Sequence, residues 1–135
     1  MNKGKDEKES LIEKVIKVFK LIGETKKRKS KNEFRYNNKT GHPNYIFEEE
    51  NGKYHSIGIT HRSETFGIRN IPLNENPQKT KKGEPANLRT GIISEKKNNY
   101  SKKPNKNMSF SKDDFPNVKS KVRNYKRNRK KKTNG

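Results

Sequence analysis

The sequence predicts an α+β fold in which a small antiparallel sheet packs against an N-terminal amphipathic helix, followed by a basic C-terminal helix and a disordered tail. Three observations favour it: a helical apolar periodicity near the N-terminus, a hairpin signal in the middle, and a hydrophobic content of only 24%. That content is too low to line a core across all 135 residues, so part of the chain is expected to stay disordered.

The N-terminal helix is predicted over Leu11–Ile22. Ser10 and Glu13 have the spacing of a capping box, and Gly23 is expected to end the helix. Apolar residues recur at spacings of three and four and occupy one face. This face is expected to pack on the sheet. The alternative is a membrane-surface helix, because lysines flank the same face.

The strongest strand signal is Asn51-Gly52, a turn sequence that lies between two β-prone segments and suits a type I′ turn. A two-residue loop at this point predicts the register of the hairpin, and in that register the side chains of two histidines face each other. The predicted pairs are Glu50 with Lys53, Glu48 with His55, Ile46 with Ile57, Asn44 with Ile59, and His42 with His61.

Further strands are predicted over Phe66–Leu73, where Pro72 marks an edge or exit, and over Asn87–Ser94. The segment between them, Asn74–Pro85, has the composition of a surface loop. Residues 95–107 are rich in Lys, Asn, Ser and Pro, and they are expected to lack order.

A short C-terminal helix is predicted to begin near Ser111 or Asp114, either of which can cap it. Val118, Val122 and Tyr125 then form a narrow apolar stripe, which predicts weak docking. Residues beyond Tyr125 are expected to form a mobile tail.

Charge and composition divide the chain into an amphipathic helix with a basic linker (1–33), a neutral β-rich core (34–95), and a basic linker with a short helix and tail (96–135). The formal net charge is +20, and residues 96–135 carry fifteen basic and two acidic groups. An excess confined to the flanks predicts that the protein binds a polyanion. The alternative is an AT-rich coding sequence that inflates lysine and asparagine without selection for binding.

Nucleic acid is the expected polyanion, with RNA favoured over DNA. An acidic protein that neutralises the chain is a further candidate partner, and an anionic membrane surface is less favoured. The predicted phosphate contacts are Lys26, Lys27, Arg28, Lys29, Arg69, Lys119, Lys121, Arg123, Lys126, Arg127, Arg129 and Lys130.

The candidate catalytic residues are His42, His61 and Arg62. Two imidazoles and a guanidinium suffice for RNA cleavage without a metal: one histidine takes the 2′-OH proton, the other protonates the leaving oxygen, and the cation stabilises the transition state. Surface or structural histidines and metal ligation are the alternatives. The favoured assignment includes no metal and no cofactor, and Glu48-Glu49-Glu50 is expected to be a solvated edge beside the turn.

Several protein classes are excluded or disfavoured. The absence of cysteine excludes disulfides and thiolate zinc sites, and no apolar run approaches the ~20 residues of a membrane span. The start of the sequence lacks the apolar stretch of a secretory signal, which predicts a cytoplasmic protein.

Two segments, Gly41-His-Pro-Asn-Tyr-Ile-Phe and Tyr54-His-Ser-Ile-Gly-Ile-Thr-His61, resemble small basic proteins of bacterial mobile elements. In its expected layout the chain is similar to the barnase/EndoU/colicin/RelE-like ribonuclease toxins. The resemblance implies metal-independent RNA cleavage and carries over only to His42, His61 and Arg62. The chain lacks a well-placed counterpart of the general-base glutamate of a barnase-type mechanism.

Overall fold

The computed structural model describes residues 28–134, with side chains as far as residue 129, and these residues form seven strands and one α-helix. The strands are β1 (Arg28–Asn37), β2 (His42–Glu50), β3 (Lys53–Thr60), β4 (Glu64–Thr65), β5 (Ile68–Arg69), β6 (Ile71–Pro72) and β7 (Asn87–Lys96), and the helix is α1 (Phe115–Asn134). Short 3-10 helices span Lys79–Lys81 and Lys97–Asn99. Five strands form an antiparallel sheet in the order β1-β2-β3-β7-β6, and β4 and β5 form a small separate hairpin.

The turn between β2 and β3 is the predicted two-residue turn. Asn51 and Gly52 both have positive φ angles, 52° and 74°, as type I′ geometry requires. The first two predicted pairs beside the turn are also present, as far as Glu48 with His55. This part of the hairpin prediction is confirmed.

A β-bulge at Phe47 shifts the register beyond that point. Ile46 pairs with Ser56, and Asn44 pairs with Gly58, each partner lying one residue earlier than predicted. Side chains alternate between the two faces of a sheet, so a shift of one residue changes which side chains lie together. Ile57 and Ile59 therefore share a face with Tyr45 and not, as predicted, with Ile46.

The prediction that His42 and His61 face each other across the hairpin is therefore wrong. Strand β3 ends at Thr60, so His61 lies outside the sheet. His42, the first residue of β2, pairs instead with Asn37 of the neighbouring strand β1. The extra residue in β2 is the physical reason for the difference.

Helix α1 covers one face of the sheet and closes the main core. Val118 is fully buried, and Val122 and Tyr125 pack against the same cluster. The sheet supplies apolar side chains from β1, β2, β3 and β7, namely Phe34, Tyr45, Phe47, Ile57, Ile59 and Leu88.

The predicted fold class is wrong about the helix that covers the sheet. In the described part of the chain this helix is C-terminal, and the segment predicted as an N-terminal helix, Leu11–Ile22, lies outside the described residues. The expectation of a disordered tail beyond Tyr125 is also wrong, because α1 continues to Asn134. Ion pairs extend the docked face of α1 beyond its short apolar stripe.

The opposite face of the sheet carries a smaller core of Ile46, Tyr54 and Tyr100. The hydroxyl groups of Tyr100 and Ser56 lie 2.8 Å apart, and Asn44 Nδ2 donates to the same Ser56 oxygen at 2.9 Å. These polar groups are buried but satisfied, as groups in a stable interior are expected to be.

The expectation that residues 95–107 lack order is wrong. The backbone N–H groups of Ser101 and Asn105 donate to the carbonyl oxygens of Tyr36 and Phe34 on the edge strand β1, at 2.8 and 2.7 Å. One buried aromatic residue, Tyr100 at 2% exposure, anchors the segment beside the sheet. The segment therefore covers part of the β1 edge.

Candidate nucleic-acid interface

The outer face of α1 is strongly basic. Between Phe115 and Asn134 the sequence has nine basic residues and no acidic residue. Lys119, Arg123 and Arg127 are all exposed, and their spacing of four residues places them about 6 Å apart along the helix. The result is a row of cations with no carboxylate from the helix between them.

The inner face of α1 is held by a buried carboxylate. Glu48, 2% exposed, accepts a hydrogen bond from Arg129 Nη1, and Lys126 Nζ lies 3.6 Å from its other oxygen. The expectation that Glu48 belongs to a solvated edge is wrong, because the bulge at Phe47 turns it toward α1. Two predicted phosphate contacts, Lys126 and Arg129, are therefore engaged within the fold.

His55 adjoins this ion pair and is also held by the fold. Its Nδ1 lies 2.6 Å from the Ser94 hydroxyl, and its Nε2 lies 2.9 Å from Glu50 Oε1. Arg28, another predicted phosphate contact, pairs with the second oxygen of Glu50 at 2.7 Å. Both ring nitrogens of His55 thus have polar neighbours from the protein.

Glu48, Glu50 and His55 have ligand atoms within 4.8 Å of one another, a separation that suits a metal ion. The two carboxylates, however, already pair with two guanidinium groups and one ammonium group. A divalent cation would meet three neighbouring positive charges. The donor set therefore fits an ion-pair network better than a metal site.

A groove of about 530 Å³ opens at the end of the sheet opposite the Asn51-Gly52 turn. His42 and His61 both line it, together with Lys81 and Tyr36. Both histidines are exposed. The two residues thus share a groove, although they are not paired across the hairpin.

One wall of this groove belongs to the loop between β6 and β7, and Asp114 connects that loop to α1. The Asp114 carboxylate, 2% exposed, accepts hydrogen bonds from Asn74 N at 2.8 Å and Nδ2 at 2.9 Å, and from Glu75 N at 3.2 Å. Because Asp114 immediately precedes α1, the helix and the groove wall are fastened together.

A second groove, of about 280 Å³, shares His42 with the first. Arg62, Arg89 and Phe66 line it, and none of the described residues around it is acidic. A Cβ on Gly58 would lie 3.2 Å from Arg89 Cγ, so the glycine allows Arg89 to lie close to the sheet. The three candidate catalytic residues are thus divided between two adjoining grooves.

The remaining predicted binding residues differ in their surroundings. Lys29 and Arg69 are exposed. The ammonium group of Lys121 donates to the Thr90 carbonyl oxygen, and burial lowers the pKa of this lysine. Three positions carry no side-chain description: Lys26 and Lys27 lie outside the described residues, and α1 is described at Lys130 only in its backbone.

Lys81, Arg89 and Phe66 line the two grooves but were not predicted from the sequence as functional residues. The predicted strand Phe66–Leu73 is divided in the structure among a turn, β5 and β6. Gly67 was the one residue that could have indicated the turn between β4 and β5, because a glycine after Phe66 suits a tight turn.

No protein-family model, curated protein or solved structure matches this chain. Among the described residues, no helix combines the length and apolarity needed to cross a bilayer. The resemblance to ribonuclease toxins remains a prediction.

Replacing Glu48 by Gln removes the buried negative charge that faces Arg129 and Lys126. We expect the free energy of unfolding to fall by about 3 kcal/mol, because two cations would then face a neutral amide in a buried site. Urea-induced unfolding followed by circular dichroism measures the change.

Glu75→Gln is the matched control for this variant. Glu75 pairs with Lys82 at 3.6 Å in an exposed position, and surface pairs of this kind contribute less than about 1 kcal/mol. Equal losses in the two variants would contradict the anchoring role of Glu48.

The lowered pKa values of Glu49 and Glu50 predict that the protein loses stability in acid. The hydrogen bond from Lys97 lowers the pKa of Glu49. Burial acts to raise the pKa of Glu50, but the hydrogen bond from His55 and the charge of Arg28 outweigh it and the pKa is lowered. Since the folded-state values lie below the ordinary 4.5, the unfolded chain binds protons more readily, and stability falls as the pH decreases through this range.

Urea unfolding between about pH 7 and pH 3 tests this dependence. The double variant Glu49→Gln/Glu50→Gln is expected to show a shallower loss of stability in acid. An unchanged slope would show that other carboxylates are responsible.

Proposed function

We propose that the protein binds nucleic acid, with RNA favoured over DNA, and that the exposed face of α1 makes the phosphate contacts. The observation that carries the proposal is the row of Lys119, Arg123 and Arg127 on a helix with nine basic residues and no acidic residue. Such contacts release counterions from a polyanion, and they position the protein without reading sequence. A cytoplasmic location is part of the proposal.

The attachment of α1 to the sheet favours tight binding of phosphates by these cations. A helix of 20 residues extends about 30 Å, and its inner face is held by Val118, Val122 and the Glu48 ion pairs. The backbone that carries the row is thus ordered before a ligand arrives, which reduces the entropy lost on binding.

The preference for RNA is supported by aromatic exposure beside the grooves. Tyr36 is 49% exposed and lines the groove that contains His42 and His61. Proteins that recognise RNA commonly stack unpaired bases on exposed aromatic rings. A regular DNA duplex offers no unpaired base to such a side chain.

Two other polyanions are weaker candidates. A membrane-surface helix inserts its apolar face into lipid; the apolar residues of α1 instead pack against the sheet, and the segment for which this alternative was raised, Leu11–Ile22, lies outside the described residues. An acidic protein could pair with the same cations, and competition with RNA would reveal it.

Replacing Lys119, Arg123 and Arg127 by Gln is expected to weaken binding to a single-stranded RNA of about 20 nucleotides roughly tenfold or more near 150 mM salt. The slope of log affinity against log salt should decrease by about 2, since each single-strand phosphate contact contributes ~0.7. Fluorescence anisotropy at several KCl concentrations measures both quantities.

The matched control removes the same charge outside α1, at the exposed residues Lys53, Lys96 and Lys106. We expect a smaller loss of affinity from this variant. Equal effects would contradict α1 as the contact surface. If the unaltered protein binds neither RNA nor DNA near physiological salt, the proposed function is wrong.

Metal-independent ribonuclease activity of the toxin type is a second candidate, favoured by the groove that His42 and His61 share. One imidazole would take the 2′-OH proton as the 2′ oxygen bonds to phosphorus, and the other would protonate the 5′ oxygen as its bond to phosphorus breaks. A 2′,3′-cyclic phosphate and a 5′-hydroxyl result. Arg62, in the adjoining groove, would stabilise the charge on the phosphoryl oxygens.

His42→Gln and His61→Gln are each expected to reduce RNA cleavage by about 100-fold or more, because each removes a proton-transfer group. Affinity for RNA should change little, since most phosphate contacts lie on α1. Cleavage by the unaltered protein should be unaffected by EDTA. Gel analysis of a labelled RNA measures the rate.

Lys53→Gln is the control for cleavage, because Lys53 lies beside the Asn51-Gly52 turn, at the other end of the hairpin. Its rate should equal that of the unaltered protein. Intact RNA after long incubation with that protein, or full activity in both histidine variants, would remove ribonuclease activity from consideration and leave RNA binding in place.

A further inference from the structure

The hairpin formed by β4 and β5 presents a phenylalanine at its tip. The pairs Glu64–Arg69 and Thr65–Ile68 leave a two-residue turn, and its residues Phe66 and Gly67 have φ angles of 52° and 77°. The main hairpin turn, at Asn51 and Gly52, has φ angles of 52° and 74°. The chain therefore builds two turns of the same kind and places Phe in one where it places Asn in the other.

Phe66 is unfavourable for the fold at this position. Asn and Gly tolerate a positive φ angle, but a bulky side chain in the left-handed region is strained. Burial could compensate for the strain, yet Phe66 is 94% exposed. Strained backbone positions of this kind cluster at ligand sites.

The surroundings of Phe66 are cationic. Phe66 lines the smaller groove beside Arg62 and Arg89, and Arg69 is the second residue of the return strand β5. Glu64, opposite Arg69, is the one carboxylate of this hairpin. An apolar ring among guanidinium groups suits a ligand that is flat and apolar on its faces and anionic along its chain.

The base of the hairpin is held in place by a buried amide. Asn70, 3% exposed, donates from Nδ2 to the Arg62 carbonyl oxygen at 3.0 Å and to Thr65 Oγ1 at 2.8 Å. Its backbone N–H also donates to the Ser63 carbonyl oxygen at 2.9 Å. The position of the ring relative to the groove is therefore determined by the fold.

From these observations we infer that Phe66 stacks on an unpaired base of a single-stranded RNA while Arg62, Arg69 and Arg89 contact the adjacent phosphates. This inference rests on the proposed nucleic-acid binding and adds a second contact surface to α1. Stacking on an aromatic ring tolerates any base, so the contact distinguishes single strands from duplexes but does not select a sequence.

Phe66→Asn is the decisive variant, because it copies the turn sequence that the chain already uses at Asn51-Gly52. It is expected to raise the melting temperature by about 2–5 °C as the strain is relieved. It should also weaken binding to single-stranded RNA about tenfold or more. Binding to inorganic polyphosphate, which has no bases, should be unchanged.

Phe66→Trp gives a second, independent measurement. The chain contains no tryptophan, so this variant has a single indole at the proposed contact. It is expected to keep its affinity for single-stranded RNA, and the indole fluorescence should be quenched by that RNA but not by polyphosphate.

Each outcome bears on a different part of the inference. A higher melting temperature with unchanged RNA affinity in Phe66→Asn would overturn the stacking role and leave nucleic-acid binding intact. A lower melting temperature of Phe66→Asn would show that Phe66 supports the fold and would overturn the inference. The inference would also be overturned if Phe66→Asn lost binding to anionic phosphatidylserine vesicles while its binding to RNA stayed unchanged. Failure of the unaltered protein to bind any RNA would instead overturn the proposed function, and the stacking role with it.

Discussion

The structure depends on one buried interaction, between the carboxylate of Glu48 on the sheet and the cations of Arg129 and Lys126 on α1. Burying charge is costly, so such a pair adds little net stability over an apolar contact of similar shape, but it strongly disfavours arrangements that leave the carboxylate unpaired. Its main effect is therefore on orientation. The helix must present these two cations to the sheet, and Lys119, Arg123 and Arg127 are then directed to solvent.

The interaction in turn depends on the bulge at Phe47. With the extra residue in β2, the side chains of both Phe47 and Glu48 face α1: Phe47 packs against Tyr125 with ring centroids 5.6 Å apart, and Glu48 meets Arg129. At the other end of α1, Asp114 attaches the helix to the wall of the His42 groove. One helix thus carries the basic row and is attached at its N-terminal end to the loop that forms a wall of the groove.

Local sequence was sufficient to predict the turn at Asn51-Gly52 and the strand that begins at Asn87, because turn chemistry and β-propensity act over a few residues. The bulge was not predictable in this way, since β2 contains no glycine or other local signal that marks where an extra residue enters the strand. The three apolar residues of α1 were recognised, but its affinity for the sheet was underestimated because the partner Glu48 lies far away in sequence. The same limit applies to the candidate site: His42 and His61 were identified from residue type, whereas Phe66 and Arg89 become neighbours only after folding.

The ion pairs of β2 also bring the start of β1 and the C-terminal half of α1 to the same strand. Arg28, at the start of β1, pairs with Glu50, and Arg129, near the end of α1, pairs with Glu48 two residues away on the same strand. Segments separated by about a hundred positions therefore converge at one pole of the molecule. Two carboxylates of a single strand thus supply the counter-charge for cations that are far apart in the linear sequence, and β2 clamps both ends of the chain's described path.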